Sequence, residues 1–174
     1  GHHFQLSAQQ LIKGVPMLRK VLPFSAYAEG WALYAERVAK VDMGFYESDP
    51  LGDLGRLQAE MFRAVRLVVD TGMHARHWSR EQAIEYMVAK TGMTEAEVTR
   101  EIERYVVWPG QATSYKVGQL AMLRTRDEAQ QALGPRFDLR AVHELILMNG
   151  SMPLAVLEDV VREWVKTQQG MPAA

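Results

Sequence analysis

The chain has 174 residues, with 20 basic against 21 acidic side chains, a net charge of −1 and 48% apolar residues. That length fits one domain with a sizeable core, and the near-neutral balance argues against a nucleic-acid-binding module, which shows a clear basic excess. Cysteine is absent, which excludes disulfides, zinc–thiolate sites and thiol nucleophiles, and no apolar run approaches the roughly 20 residues that span a bilayer.

Helical periodicity dominates, without sustained strand alternation. A short helix is predicted from Phe4 to Lys13, ended by Gly14-Val15-Pro16, and the Pro16- and Pro23-containing segment to Ser25 reads as a loop. A long helix then runs from Ala26 to about Met43, followed by the turn-like Glu47-Ser48-Asp49-Pro50. The next spans about Leu51 to His77, with Leu57, Met61, Val65 and Val68 at helical spacing. Ser79 with Gln82, and Thr94 with Glu97, form two capping boxes. They start helices over Arg80–Lys90 and Glu95–Val107, the second with Val98, Ile102, Tyr105 and Val106 on one face. Pro109-Gly110 precedes a helix from Ala112 to Leu133, and Asp138 caps another that ends near Asn149-Gly150. The last starts around Pro153, carries Leu154, Leu157, Val160, Val161 and Trp164 as its apolar stripe, and fades at Gly170 into a short tail. Short connections and no linker predict one compact all-α, multi-helix domain over 1–174.

Three places carry candidate chemistry. Neutral imidazole is a common zinc ligand, which draws attention to His2 and His3, although two adjacent histidines read equally well as exposed side chains. In Ala28-Glu29-Gly30-Trp31-Ala32-Leu33-Tyr34-Ala35-Glu36, the two glutamates stand seven residues apart, nearly on one helical face. Aromatic and small residues around them put at least one carboxylate against the core, where it must be paired, hydrogen-bonded or metal-bound. Glu36 can equally be a surface carboxylate bridged to Arg37 or Lys40. Arg66, Asp70 and His74 fall at i, i+4 and i+8 and form one polar stripe. That stripe reads either as an internal ion pair fixing helix packing or as a group near a reaction centre. Tyr115 stands near a helix start, where a phenol could donate to a tetrahedral oxyanion or simply cap a neighbour. Lys116 and Arg124 could meet a substrate carboxylate, though solvated cations are far commoner.

Gly1-His2-His3-Phe4-Gln5 and Glu29-Gly30-Trp31-Ala32-Leu33-Tyr34-Ala35-Glu36 closely resemble the bacterial family called domain of unknown function 885. Arg66-Leu67-Val68-Val69-Asp70-Thr71-Gly72-Met73-His74, Trp78-Ser79-Arg80-Glu81-Gln82-Ala83 and Pro109-Gly110-Gln111-Ala112-Thr113-Ser114-Tyr115-Lys116-Val117-Gly118 continue the resemblance in order, and Phe137-Asp138 closes it. It implies the C-terminal part of a fold similar to thermostable zinc carboxypeptidases, within the zincin group. The family motif His-Glu-x-x-Pro-Gly-His-His-x-Gln ends at Gly1-His2-His3-Phe4-Gln5. His2 or His3, with His2 preferred, would be the second zinc ligand and Glu29 the third. The resemblance also points to Tyr115 as an oxyanion donor; His74 is the second catalytic candidate, behind the metal ligands or against the substrate or the developing oxyanion, with Glu36, Arg66, Asp70, Gln111 and Lys116 in supporting or substrate-side positions.

The first histidine and the catalytic glutamate would lie upstream of Gly1, so this chain alone should bind zinc weakly and hydrolyse nothing. The expected function is therefore part of a zinc-dependent, carboxypeptidase-like peptidase acting on a peptide substrate. The alternative is a non-catalytic helical scaffold or interaction domain. Covering by an N-terminal segment of the same protein would leave exposed apolar surface around Glu29 and Leu33, through which a homo-oligomer could form. The resemblance points to the bacterial envelope or periplasm. A di-iron carboxylate bundle is excluded, since no histidine has a glutamate three residues before it.

Overall fold

The computed structural model describes residues 1–22 and 24–170. Pro23 of the predicted loop and the tail after Gly170 lie outside the described residues. Among the described residues there is no strand, and the chain is all-α as its periodicity requires. The helices are α1 (His2–Leu11), α2 (Met17–Val21), α3 (Ser25–Val41), α4 (Pro50–Arg76), α5 (Arg80–Thr91), α6 (Glu95–Val107), α7 (Gln111–Leu133), α8 (Leu139–Met148) and α9 (Leu154–Gly170). A 3₁₀ turn, Gly134–Arg136, links α7 to α8. Among the described residues no helix is long and apolar enough to cross a membrane.

Local chemistry sets most of these boundaries. Asp49 caps α4 by accepting from Gly52 N–H, with Pro50 at the first helical position, where its missing N–H costs nothing. Both capping boxes form, at Ser79–Gln82 and Thr94–Glu97. α5 ends on Gly92 in the left-handed region at φ +67°, the conformation that favours glycine at a helix terminus. Two elements differ from the sequence expectation. The predicted loop contains α2, five residues that start after Pro16, and Gly134-Pro135-Arg136 is a 3₁₀ turn rather than a simple break.

The helices fall into two compact units: residues 1–34 with 117–174, and residues 35–116, so that α3 and α7 each contribute to both. In the second unit α4 packs on α5 and α6 around Val65, Val69, Ala83, Met87, Val98, Ile102 and Tyr105. The buried face of α4 is therefore Val65, Arg66, Val69, Asp70 and Gly72. Leu57, Met61 and Val68 of the predicted stripe are exposed, as is Val106 on α6. Gly72 is required here because a Cβ would stand 2.7 Å from the Trp78 ring.

In the first unit α8 packs on α1 and α9. Tyr27, Leu33, Tyr34, Met122, Val142, Ile146 and Leu157 are fully or nearly fully buried, and Tyr27 donates its hydroxyl to Ile146 O at 2.8 Å. The buried residues of α9 are Leu157, Val161 and Val165, with Leu154, Val160 and Trp164 of the predicted stripe half-buried beside them. Leu33 is only 2% exposed, which corrects the expectation of an apolar surface around it. The exposed apolar side chains of this unit include Phe4, Leu6 and Leu11 on α1 and Met17, Leu18 and Val21 on α2.

Candidate functional site

In the first unit, the start of α1 meets the second turn of α3. His2 Nε2 lies 3.2 Å from Glu29 Oε2, with the two side chains 49% and 21% exposed. Two features fix this meeting. Trp31 Nε1 donates to Gly1 O at 3.2 Å, tying the first residue of α1 to the helix that carries Glu29. Beside Glu29, Gly30 brings the α3 backbone against α7, since a Cβ there would stand 2.5 Å from Gly118. A mid-helix glycine costs about 1 kcal/mol relative to alanine, and this close backbone approach is its reason.

Behind Glu29, Trp31 meets the His143 ring edge-on at 5.6 Å, and Tyr34 Oη lies 2.7 Å from His143 Nε2. Gln119 Nε2 donates to Leu33 O at 3.2 Å, which satisfies a buried amide on α7. His3 is exposed and its ring faces Phe4, 5.5 Å between centroids. His2 is thus the imidazole that Glu29 meets. Among the described residues no group of three or more His, Cys, Asp or Glu side chains is placed to hold a metal ion. The pair supplies two donors.

In the second unit, Arg66, Asp70 and His74 share a face of α4 but do not pair with one another. Each reaches across to α6 or the turn after it. Arg66 donates from Nε to Tyr105 Oη at 2.8 Å and from Nη2 to Glu101 Oε2 at 2.9 Å. Its guanidinium lies 4.2 Å from the Phe62 ring centroid and 4.8 Å from that of Tyr115, the stacking that a planar cation favours. Both oxygens of Asp70 accept from Gly110 N–H at 3.2 Å. His74 Nε2 lies 3.0 Å from Tyr105 O.

Glu101 is the hub of this seam. It accepts from Arg66, from Arg104 at 2.9 Å and from Tyr105 Oη at 2.8 Å. Burial alone would raise its carboxyl, but the hydrogen bonds from Arg104 and Tyr105 and the charges of Arg66 and Arg104 prevail and hold it below the usual carboxylate value of 4.5. Burial pushes the Tyr105 phenol well above its ordinary 10.0, against the pull of Arg66. Tyr105 therefore stays protonated and donates to Glu101 while it accepts from Arg66.

The remaining candidates belong to the same unit. Gln111 accepts from Arg104 Nη1 at 2.9 Å and donates to Tyr115 Oη at 3.4 Å, which leaves the Tyr115 phenol proton to donate. Lys116 is directed to Glu60 at 2.6 Å. Glu36 faces Arg63 at 4.0 Å, not Arg37 or Lys40, and Lys40 pairs with Asp53 at 3.1 Å. In the first unit Arg124 pairs with Glu158.

Sequence reasoning missed Glu101, Arg104 and Tyr105 as partners of the α4 stripe. Their spacing, Glu101 three and four residues before Arg104 and Tyr105, was the available signal. It also missed the inward stripe of α1, in which Gln5 and Gln9 are buried while Phe4, Leu6 and Leu11 are exposed.

The profile of the bacterial proteins of unknown function called DUF885 matches residues 1–161. No curated protein matches the sequence. A crystal structure described as "the putative lipoprotein from Colwellia psychrerythraea" is 53% identical, with a TM-score of 0.93 over 96% of this chain. A second, described as "a putative lipoprotein of unknown function from Shewanella oneidensis", is 27% identical, with a TM-score of 0.85 over 93% of this chain. The chain spans 28% and 29% of the length of those two proteins. With the profile covering nearly its whole length, this chain belongs to the DUF885 family of bacterial proteins.

Proposed function

We propose that the chain forms part of a zinc-dependent, carboxypeptidase-like peptidase in which His2 and Glu29 are two ligands of one metal ion. The observation that carries this reading is the 3.2 Å between His2 Nε2 and Glu29 Oε2. Two ligands at about 2.0–2.1 Å from a tetrahedral zinc stand roughly 3.3–3.4 Å apart, so the pair accommodates such an ion with little movement. The donor types fit as well. An imidazole nitrogen and a carboxylate oxygen are ordinary zinc donors, and zinc peptidase sites combine two histidines with one glutamate. Partial exposure of both side chains leaves the open side that a catalytic site needs.

The remaining ligand and the general base belong, in this reading, to a segment that precedes Gly1, in keeping with the motif whose end Gly1-His2-His3-Phe4-Gln5 resembles. Zinc bound here supplies acidification of water and polarisation of a peptide carbonyl. The residues of this chain hold and orient. Trp31 fixes Gly1, Gly30 and Gly118 set the position of α3, and Glu29 supplies charge. Tyr115 is kept as the oxyanion donor on the motif resemblance alone, its hydroxyl accepting from Gln111 at 3.4 Å within its own unit. His74 and the Arg66–Asp70 seam are assigned to support rather than to contact with the reacting atoms, because their hydrogen bonds go to α6 and the turn after it. The "lipoprotein" description of both solved relatives supports an envelope location.

The test is the metal content of the full-length protein. About one zinc per chain is expected by elemental analysis, with loss in Glu29→Ala and His2→Ala and retention in His3→Ala. Unchanged zinc in Glu29→Ala, with only stability altered, would assign Glu29 to packing and favour the scaffold alternative.

A further inference from the structure

The segment Trp78-Ser79-Arg80-Glu81-Gln82-Ala83, part of the family resemblance, has no role in the metal reading. In the second unit it opens on a tryptophan held in a fixed place. His77 is the one non-glycine residue with a positive φ among the described residues, at 56°. A left-handed residue is an ordinary helix stop, but here it also determines where the next side chain goes. The chain folds back so that Trp78 N–H donates to Gly72 O at 3.0 Å, and the indole packs against α4 where a Cβ at Gly72 would stand 2.7 Å from it. Tyr86 of α5 meets the same indole, 5.5 Å between ring centroids at an angle of 58°.

A cleft of about 440 Å³ lies beside this pair, lined by Trp78, Gln82, Glu85, Tyr86 and Ala89. Glu85 is exposed, and among the described residues its carboxylate has neither an ion-pair nor a hydrogen-bond partner. The lining includes no cation, and Lys90 only approaches the Tyr86 ring, with Nζ 5.9 Å from its centroid. A second cleft, of about 600 Å³, shares Glu85 and Ala89 with the first and adds Glu81 and Glu95. Its one cation, Arg80, is taken up by Glu103 and Glu81, so the acidic character extends along α5 and favours a positively charged ligand. The same unit shows what two rings and a carboxylate hold. The Arg66 guanidinium lies over Phe62 and Tyr115 and donates to Glu101. We infer that the cleft beside α5 is a binding site for the guanidinium of an arginine side chain presented by a peptide, stacked on Trp78 and Tyr86 and hydrogen-bonded to Glu85. A planar guanidinium combines ring stacking with forked donation to a carboxylate and is more weakly hydrated than an ammonium, which suits a site open to water. The site is independent of the metal reading, since none of its residues takes part in that one.

The experiment titrates the full-length protein by NMR with N-acetylarginine amide and with N-acetylcitrulline amide, which keeps the shape and planarity of arginine but carries a neutral urea. The readout is the indole N–H resonance of Trp78, assigned by its loss in Trp78→Phe, so that arginine bound to acidic surface elsewhere does not register. The arginine probe should shift this resonance in a saturable way and bind at least about tenfold more tightly than the citrulline probe. Glu85→Gln, a change at an exposed side chain, should bring the arginine affinity down to that of citrulline and leave citrulline unchanged. Tyr86→Leu, which keeps apolar bulk but removes the ring, should weaken the arginine probe as well. Circular dichroism confirms that each variant is folded, and should Tyr86→Leu unfold, the Glu85→Gln comparison decides. Equal affinity for the two probes, an indole resonance that does not move, or an arginine affinity unchanged in Glu85→Gln would each overturn the site. Methyl glucoside shifting the same indole at lower concentration than the arginine probe would assign the cleft to a neutral ring and overturn it too. None of these readouts involves zinc or cleavage, so failure here is distinct from failure of the peptidase reading.

Discussion

The polar residues of the two units are used in opposite ways. Along the α4–α6 seam every charge has its complement: Arg66 has Glu101 and Tyr105, Asp70 has Gly110 N–H, and Glu101 has three donors. At the junction of α1 and α3, polar groups are gathered without being closed off. His2 and Glu29 meet but stay partly open to solvent, and Gln5 Oε1 has no partner among the described residues. Matched networks fix packing. A half-exposed pair such as His2 and Glu29 leaves room for a ligand that arrives later, and natural proteins break local packing rules chiefly at such sites. Buried polar residues therefore mark function less reliably than buried polar residues with capacity to spare.

The comparison can be broken in several ways, and the backbone contact beside Glu29 gives the largest expected effect. Gly118→Val should destabilise by about 3 kcal/mol or more, because even a Cβ there would press into Ala26 O and the Gly30 backbone. Urea denaturation checks it, and a loss below about 1 kcal/mol would mean that the two helices can separate freely. Arg66→Met removes one partner of a buried pair and leaves Glu101 with less compensation, at a cost of about 3 kcal/mol. Zinc content should be unaffected by it. A smaller effect concerns acid. The Glu101 carboxyl is held below 4.5, so its contribution to stability is complete above pH 4.5 and is lost as pH falls through the depressed value. Glu101→Gln should flatten that part of the stability-against-pH curve, measured by urea midpoints between pH 3 and 6 (roughly the span over which a carboxylate titrates). A parallel curve would assign the acid limb elsewhere. The smallest change in stability is expected for His2→Asn, within about 1 kcal/mol for so exposed a pair. It is the substitution with the largest expected effect on metal. The seam and the junction would then separate cleanly, one controlling folding and the other binding.

How far the sequence foretold this depends on the range of each interaction. Helix positions rest on local signals: the boxes at Ser79–Gln82 and Thr94–Glu97 and the proline at Pro50 gave ends that the structure keeps within a residue or two. α2 escaped because five residues between Pro16 and Pro23 carry too little periodicity to outweigh two prolines. The face of α4 was misread because apolar spacing favours Leu57, Met61 and Val68, whereas the seam buries Arg66 and Asp70 through partners 35 to 40 residues away. Pairing at that range leaves no periodic trace. Leu33 was placed on a surface for the same reason, since the packing that buries it is not local. For the candidate site, the sequence offered His2 and Glu29 through motif resemblance, and these two side chains meet. The role of Gly30 was not legible, because it depends on Gly118, which is distant in sequence on α7. Gln5 stood inside the motif in plain view, but only the direction of α1 shows that it faces inward.

The account depends on His2 and Glu29 sharing a cation. Anomalous diffraction at the zinc edge from crystals of the full-length, zinc-loaded protein tests this directly. A peak about 2.0–2.2 Å from both His2 Nε2 and a Glu29 carboxylate oxygen is the predicted result. Zinc bound elsewhere, with His2 and Glu29 still in direct contact at 3.2 Å, would contradict it.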